Sequence, residues 1–94
     1  MSLQLKIRGA LKEAMIEKDQ TKLDTLRAAL AAFTNEAISL GKSPQEELSD
    51  DQAITVIKRL IKHRKDSIEQ YTKAGRADLM AAEQAQIWLL EQYV

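Results

Sequence analysis

Residues 58–79 have the sequence KRLIKHRKDSIEQYTKAGRADL, and this stretch decides the fold. Apolar residues recur at spacings of three and four from Ile54 to Tyr71, which is the periodicity of an amphipathic helix. Gly75 follows, and a glycine can take the left-handed conformation that ends a helix without a Cβ clash. A second helical pattern begins at once, at Arg76. The stretch therefore predicts two helices joined by a tight turn, with Tyr71 and Gly75 as structural residues.

The same reasoning, extended outward from this turn, predicts helices over residues 3–18, 22–40, 50–74 and 76–94. Gly41 and Pro44 end the second helix, and Ser49 with Gln52 forms a capping box that starts the third. The chain shows no strand pattern, and its short connections favour antiparallel neighbours. The sequence thus predicts a single all-α domain that resembles a four-helix bundle.

The composition excludes several kinds of chemistry. The chain has 94 residues and no cysteine, so it can form neither a disulfide nor a thiolate metal site. His63 is the only histidine, and the glycines are too far apart for a phosphate-binding loop. We therefore predict no cofactor and no metal, and we identify no catalytic constellation, although enzymatic activity stays undecided. No apolar run reaches transmembrane length and no signal peptide is recognisable, so the default prediction is a cytoplasmic protein without a membrane partner.

Positive charge is concentrated in the third predicted helix. The whole chain balances 14 basic against 14 acidic residues, whereas no acidic residue lies between positions 58 and 65. Spacings of three and four place Lys58, Lys62 and Lys65 on one helical face, with Arg59 beside them. Such a face can neutralise the phosphates of a nucleic acid, or it can be a solvated surface with no ligand. The predicted RNA contacts are Lys58, Arg59, Lys62 and Lys65.

Two opposite charges fall on otherwise apolar helix stripes. Arg64 interrupts the stripe of the third helix, and Glu83 interrupts that of the fourth. The structural hypothesis is an ion pair at the edge of the bundle, which would fix the register and add little net stability, and the alternative is a ligand site. Trp88 and Tyr93 flank the stripe of the fourth helix and are predicted to pack rather than to stack on bases.

Several segments resemble the YqeY family. They are RKDSIEQY at 64–71, AGR at 74–76, Asp78-Leu79, Glu83 and LEQY at 90–93, with LDTLR at 23–27 and LKEAM at 11–15 nearer the N-terminus. The resemblance covers nearly the whole chain. It implies a helical N-terminal subdomain, normally followed by a smaller helical C-terminal subdomain that this chain would lack. Members of the family are similar to the C-terminal tail domain of GatB, a subunit of the tRNA-dependent amidotransferase.

The resemblance implies an association with tRNA rather than a role in catalysis. In the amidotransferase, the tail domain is associated with tRNA recognition, whereas the chemistry resides in other domains and subunits. Family inheritance would link the chain to carbon–nitrogen ligase activity with glutamine as amido donor. The resulting prediction is a non-catalytic accessory module that binds tRNA or another RNA. The alternative is a protein-interaction module that presents the seam of the second helix, or the fourth helix, to another subunit.

Overall fold

The computed structural model describes residues 2–94 and contains four α-helices in this range. They are α1 (Leu3–Glu17), α2 (Gln20–Ser39), α3 (Asp50–Ala74) and α4 (Ala77–Glu91). Helix α1 packs chiefly on α2, and α3 packs chiefly on α4, so the domain consists of two helical hairpins. Helix α2 contacts both members of the second hairpin. No strand occurs in the described range, and the prediction of an all-α, bundle-like domain is confirmed.

Helix α3 is the longest, and local sequence determines both of its ends. The Ser49 side chain accepts a hydrogen bond from the Gln52 backbone N–H at 3.2 Å, and the Gln52 side chain accepts one from the Ser49 N–H at 3.0 Å. Asp50 and Asp51 lie in the first turn, where they complement the positive end of the helix dipole. At the other end, Gly75 is left-handed with a φ of 69°. Because local sequence fixes where α3 begins and where it ends, it also fixes the point at which the chain turns into α4.

Replacing Gly75 with valine is expected to lower the free energy of unfolding by about 1–2 kcal/mol, because side chains with a Cβ disfavour the left-handed conformation. An ideal Cβ at Gly75 would meet no atom within 4 Å, so the cost comes from the backbone alone. Gly9 is the control, since it lies inside α1 and its Cβ would also meet nothing within 4 Å. Gly9→Ala should raise stability by about 0.5–1 kcal/mol. Thermal unfolding measures both changes, and an unchanged melting temperature for Gly75→Val would contradict the left-handed turn.

Two residues, Lys18 and Asp19, connect α1 to α2. Lys18 is left-handed with a φ of 58°, and it ends α1. Asp19 then caps α2 by accepting a hydrogen bond from the Lys22 backbone N–H at 3.1 Å. Helix α2 therefore begins at Gln20, two residues before the predicted start at position 22, because Asp19 is its cap. Helix α4 ends at Glu91 and does not continue to residue 94.

One apolar core joins the four helices. Its largest fully buried apolar side chains come from every helix: Ile7, Leu26, Phe33, Ile57, Ile87 and Leu90. Three apolar residues near helix ends are exposed, namely Met15, Leu40 and Val94. Each lies in the last turn of its helix or just beyond it, where no neighbouring helix covers it. The apolar periodicity therefore identifies the centre of each helix better than its ends.

A buried glutamine, Gln4, ties α1 to the loop that precedes α3. Its side chain is almost fully buried, and its oxygen accepts a hydrogen bond from the Leu48 backbone N–H at 3.0 Å. Leu48 itself belongs to the core. The Leu3 backbone N–H also donates to an Asp50 carboxylate oxygen at 2.9 Å. The start of α1 thus holds the start of α3 in place, and with it the segment that carries the positive charge.

Candidate nucleic-acid interface

The predicted RNA contacts all lie on the solvent-exposed side of α3. Lys58, Arg59, Lys62 and Lys65 are exposed, and so is His63 between them. Because they occupy consecutive turns of one helix, they form a continuous surface. We call these five residues the basic face.

Two of the predicted RNA contacts take part in ion pairs. The Lys62 ammonium lies 3.2 Å from an Asp66 carboxylate oxygen, one turn along α3. The Arg59 guanidinium lies 3.6 Å from a Glu36 carboxylate oxygen on α2. Surface pairs of this kind contribute about 0–1 kcal/mol, so a phosphate can compete with either carboxylate. Within residues 2–94, Lys58 and Lys65 form no ion pair.

Arg64 does not pair with Glu83, and the structural hypothesis is wrong on this point. Its Nε donates a hydrogen bond to the Gln86 side-chain oxygen at 2.7 Å, and its Nη1 donates to the Leu60 carbonyl at 3.3 Å. Gln86 lies three positions after Glu83, on the same side of α4, so a neighbouring polar group takes the predicted place. Arg64 thus links α3 to α4 and does not belong to the basic face. Tyr71, another predicted structural residue, is half-buried on α3.

A double-mutant cycle tests the role of Arg64. Arg64→Met and Gln86→Leu are expected to show a coupling free energy of about 1 kcal/mol, because each removes one partner of a charge-assisted hydrogen bond. The control cycle pairs Arg64→Met with Glu83→Met and should give coupling below about 0.5 kcal/mol. Urea unfolding of the single and double variants measures both cycles. Stronger coupling to Glu83 than to Gln86 would contradict the observed contact.

A second surface feature is a concavity of about 470 Å³ between α1, the start of α2 and the end of α4. Trp88 and Tyr93 line it together with Glu13 and Lys22. Trp88 is 65% exposed, so it does not have the packing role that the sequence predicts. The pKa of the Tyr93 phenol is raised above its ordinary value, mainly because the side chain is partly buried. The positive charge of Lys22 opposes this shift, and the negative charge of Glu13 adds to it. This end of the bundle therefore offers an aromatic surface with mixed charge, unlike the basic face.

The basic face is suited to binding anions. Lysine and arginine side chains donate charge-assisted hydrogen bonds to phosphate oxygens, and arginine can do so in a bidentate manner.

Among the side chains of residues 2–94, no cluster of histidine, aspartate and glutamate is arranged to hold a metal ion. None of the four helices in that range combines the length and the apolar character needed to cross a membrane.

Comparison with known proteins identifies the family. The family model described as Yqey-like protein matches residues 4–94. The chain therefore belongs to the YqeY-like family, as the motifs in α3 and α4 predict.

The chain is also similar to fungal proteins named "Altered inheritance of mitochondria protein 41, mitochondrial". It is 38% identical over 89 residues to the protein of Saccharomyces cerevisiae and 33% identical over 84 residues to that of Eremothecium gossypii. The alignments cover 94% and 89% of the chain but 46% and 44% of the relatives, so the chain spans less than half of their length. These relatives are named as mitochondrial proteins, and this finding contradicts the predicted cytoplasmic location.

Proposed function

We propose that this domain is a non-catalytic accessory module that binds RNA, and tRNA in particular, through the basic face of α3. The observation that carries the proposal is the exposure of four lysine and arginine side chains on consecutive turns of one helix, in a chain whose formal net charge is zero. The resemblance of the YqeY family to the tRNA-associated tail domain of GatB supports the same function.

The charges on the basic face favour contacts with phosphates over the reading of bases. Lys58 and Lys65 have no acidic partner within the described residues, and the partners of Arg59 and Lys62 are weakly held. The face can therefore neutralise about two to four phosphates without disturbing the fold. Contacts with phosphates carry little sequence information, so we expect binding to many RNAs of suitable shape.

The test is the binding of labelled bulk tRNA to the domain over a salt series, followed by fluorescence anisotropy. A plot of log affinity against log salt concentration should have a slope of about −1.5 to −3.5, because each neutralised phosphate contributes about −0.7 to −0.9. Absence of binding at low salt, or an affinity that does not change with salt, would contradict the proposal.

A second candidate function is docking of another protein on α4. Trp88 is exposed beside Ala81, Ala85 and Leu89 in a shallow, mostly apolar concavity, and exposed aromatic residues are common anchors of protein interfaces. The seam of α2, the other predicted docking surface, is occupied by the core of the domain itself. A concentration-dependent association in sedimentation experiments that resists salt and is abolished by Trp88→Ser would favour this function.

A further inference from the structure

A groove borders the basic face between α2 and α3. It has a volume of about 290 Å³. Arg59 and His63 line it on the α3 side, and Asn35 and Ser39 line it on the α2 side. Because Arg59 and His63 also belong to the basic face, the groove and the face form one continuous surface.

The lining of the groove is apolar at its base and polar at its rims. Val56 is buried, and Ala32 and Leu60 are half-buried beneath the opening. Asn35 is exposed at the rim, where its amide can offer both a hydrogen-bond donor and an acceptor. A nucleobase has the complementary character, since its faces stack on apolar or planar groups and its edge forms hydrogen bonds.

Glu36 lies beside Arg59 at the groove. The two side chains are 3.6 Å apart, and the Glu36 side chain is only 17% exposed whereas that of Arg59 is 54% exposed. A guanidinium that meets a carboxylate only at one edge keeps a free face that can stack on a base. The groove is slightly smaller than pockets for drug-sized ligands, which measure about 300–1,000 Å³. A volume near the lower limit of that range can accommodate one base of a strand.

We propose that this groove holds one unstacked base of single-stranded RNA while the basic face binds the neighbouring phosphates. The inference rests on the proposed RNA-binding function and adds a preference for single-stranded segments. Phosphate contacts alone bind single strands and duplexes, because both forms carry the charged backbone. The bases of a duplex are stacked and paired, so they cannot enter the groove.

Ala32→Leu tests the groove, because the larger side chain fills its base. The probes are a labelled, unstructured RNA and the same strand annealed to its complement. Wild type should bind the single strand more tightly than the duplex. Ala32→Leu should weaken binding of the single strand about tenfold, the loss expected for one stacked base, and leave duplex binding unchanged. Ala31→Leu is the matched control, since it makes the same substitution at the adjacent, exposed position of α2 and should alter neither affinity.

Asn35→Ala keeps the inference testable if leucine at position 32 disturbs the packing of α2 on α3, which circular dichroism would reveal. This variant removes the rim amide without adding volume and should weaken binding of the single strand alone, by severalfold. Equal wild-type affinity for the two RNA forms, or unchanged single-strand binding by the folded groove variants, would overturn the inference and leave the phosphate-binding face intact. If neither form binds while tRNA does, the inference alone is wrong, and if tRNA also fails to bind at low salt, the proposed function is wrong as well.

Discussion

Phe33→Ala is expected to lower the free energy of unfolding by about 3–5 kcal/mol, because it truncates the largest of the fully buried side chains. Phe33 lies in the second half of α2, a helix that contacts the other three. Truncation to alanine removes its apolar contacts and leaves a cavity between the two hairpins. A domain of this size has a total stability of about 5–15 kcal/mol, and each kcal/mol shifts its melting temperature by about 4–8 °C, so the variant should melt about 12–40 °C below wild type.

Ile16→Ala is the control for Phe33→Ala. Ile16 is 82% exposed on α1, so its truncation should change the stability by less than about 0.5 kcal/mol. Thermal unfolding followed by circular dichroism measures both variants. A melting temperature of Phe33→Ala within a few degrees of that of wild type would show that α2 does not form the centre of the core.

Replacing Lys58, Arg59, Lys62 and Lys65 together with alanine is expected to lower tRNA affinity at low salt by about 10- to 100-fold. It should also reduce the slope of the salt dependence by about 1.5 to 3.5 units. The fold should be retained, because alanine favours helix and the lost ion pairs with Glu36 and Asp66 are weak surface contacts.

The matched control removes four other exposed cations: Lys6, Arg8, Lys12 and Arg27. This variant has the same change in net charge, but its substitutions lie outside the basic face. It should keep most of the wild-type affinity and slope. If both variants lose affinity equally, RNA responds to the overall charge of the domain and not to this surface of α3.

The helical architecture follows from local signals, and its exceptions follow from distant contacts. Helix α3 carries a capping box at one end and Gly75 at the other, so its range can be predicted from neighbouring residues alone. The left-handed Lys18 has no such signal, because lysine seldom adopts this conformation. The burial of Gln4 depends on the Leu48 backbone N–H, which lies 44 positions away in the chain. Only the assembled fold brings these two groups together.

In the candidate site, too, some contacts follow from local sequence and others depend on how the helices pack. The positions of the basic residues on one face follow from helical spacing, and so could the pairing of Lys62 with Asp66, since i,i+4 partners are adjacent on a helix. The pairing of Arg59 with Glu36 depends on how α2 packs against α3, which the pattern of either helix does not determine. The partner of Arg64 on α4 likewise depends on packing. Attraction between opposite charges favours Glu83, whereas the packing of the hairpin brings Gln86 into contact.

Binding of RNA to the basic face of α3 is tested most directly by NMR titration of the isotope-labelled domain with tRNA at low salt. We expect the largest shifts in the backbone amides of residues 58–65, with smaller shifts on the facing turn of α2 at Asn35 and Ser39. The amides of α1 should move little. Shifts concentrated around Trp88 on α4, or spread evenly over the four helices, would contradict binding at the basic face.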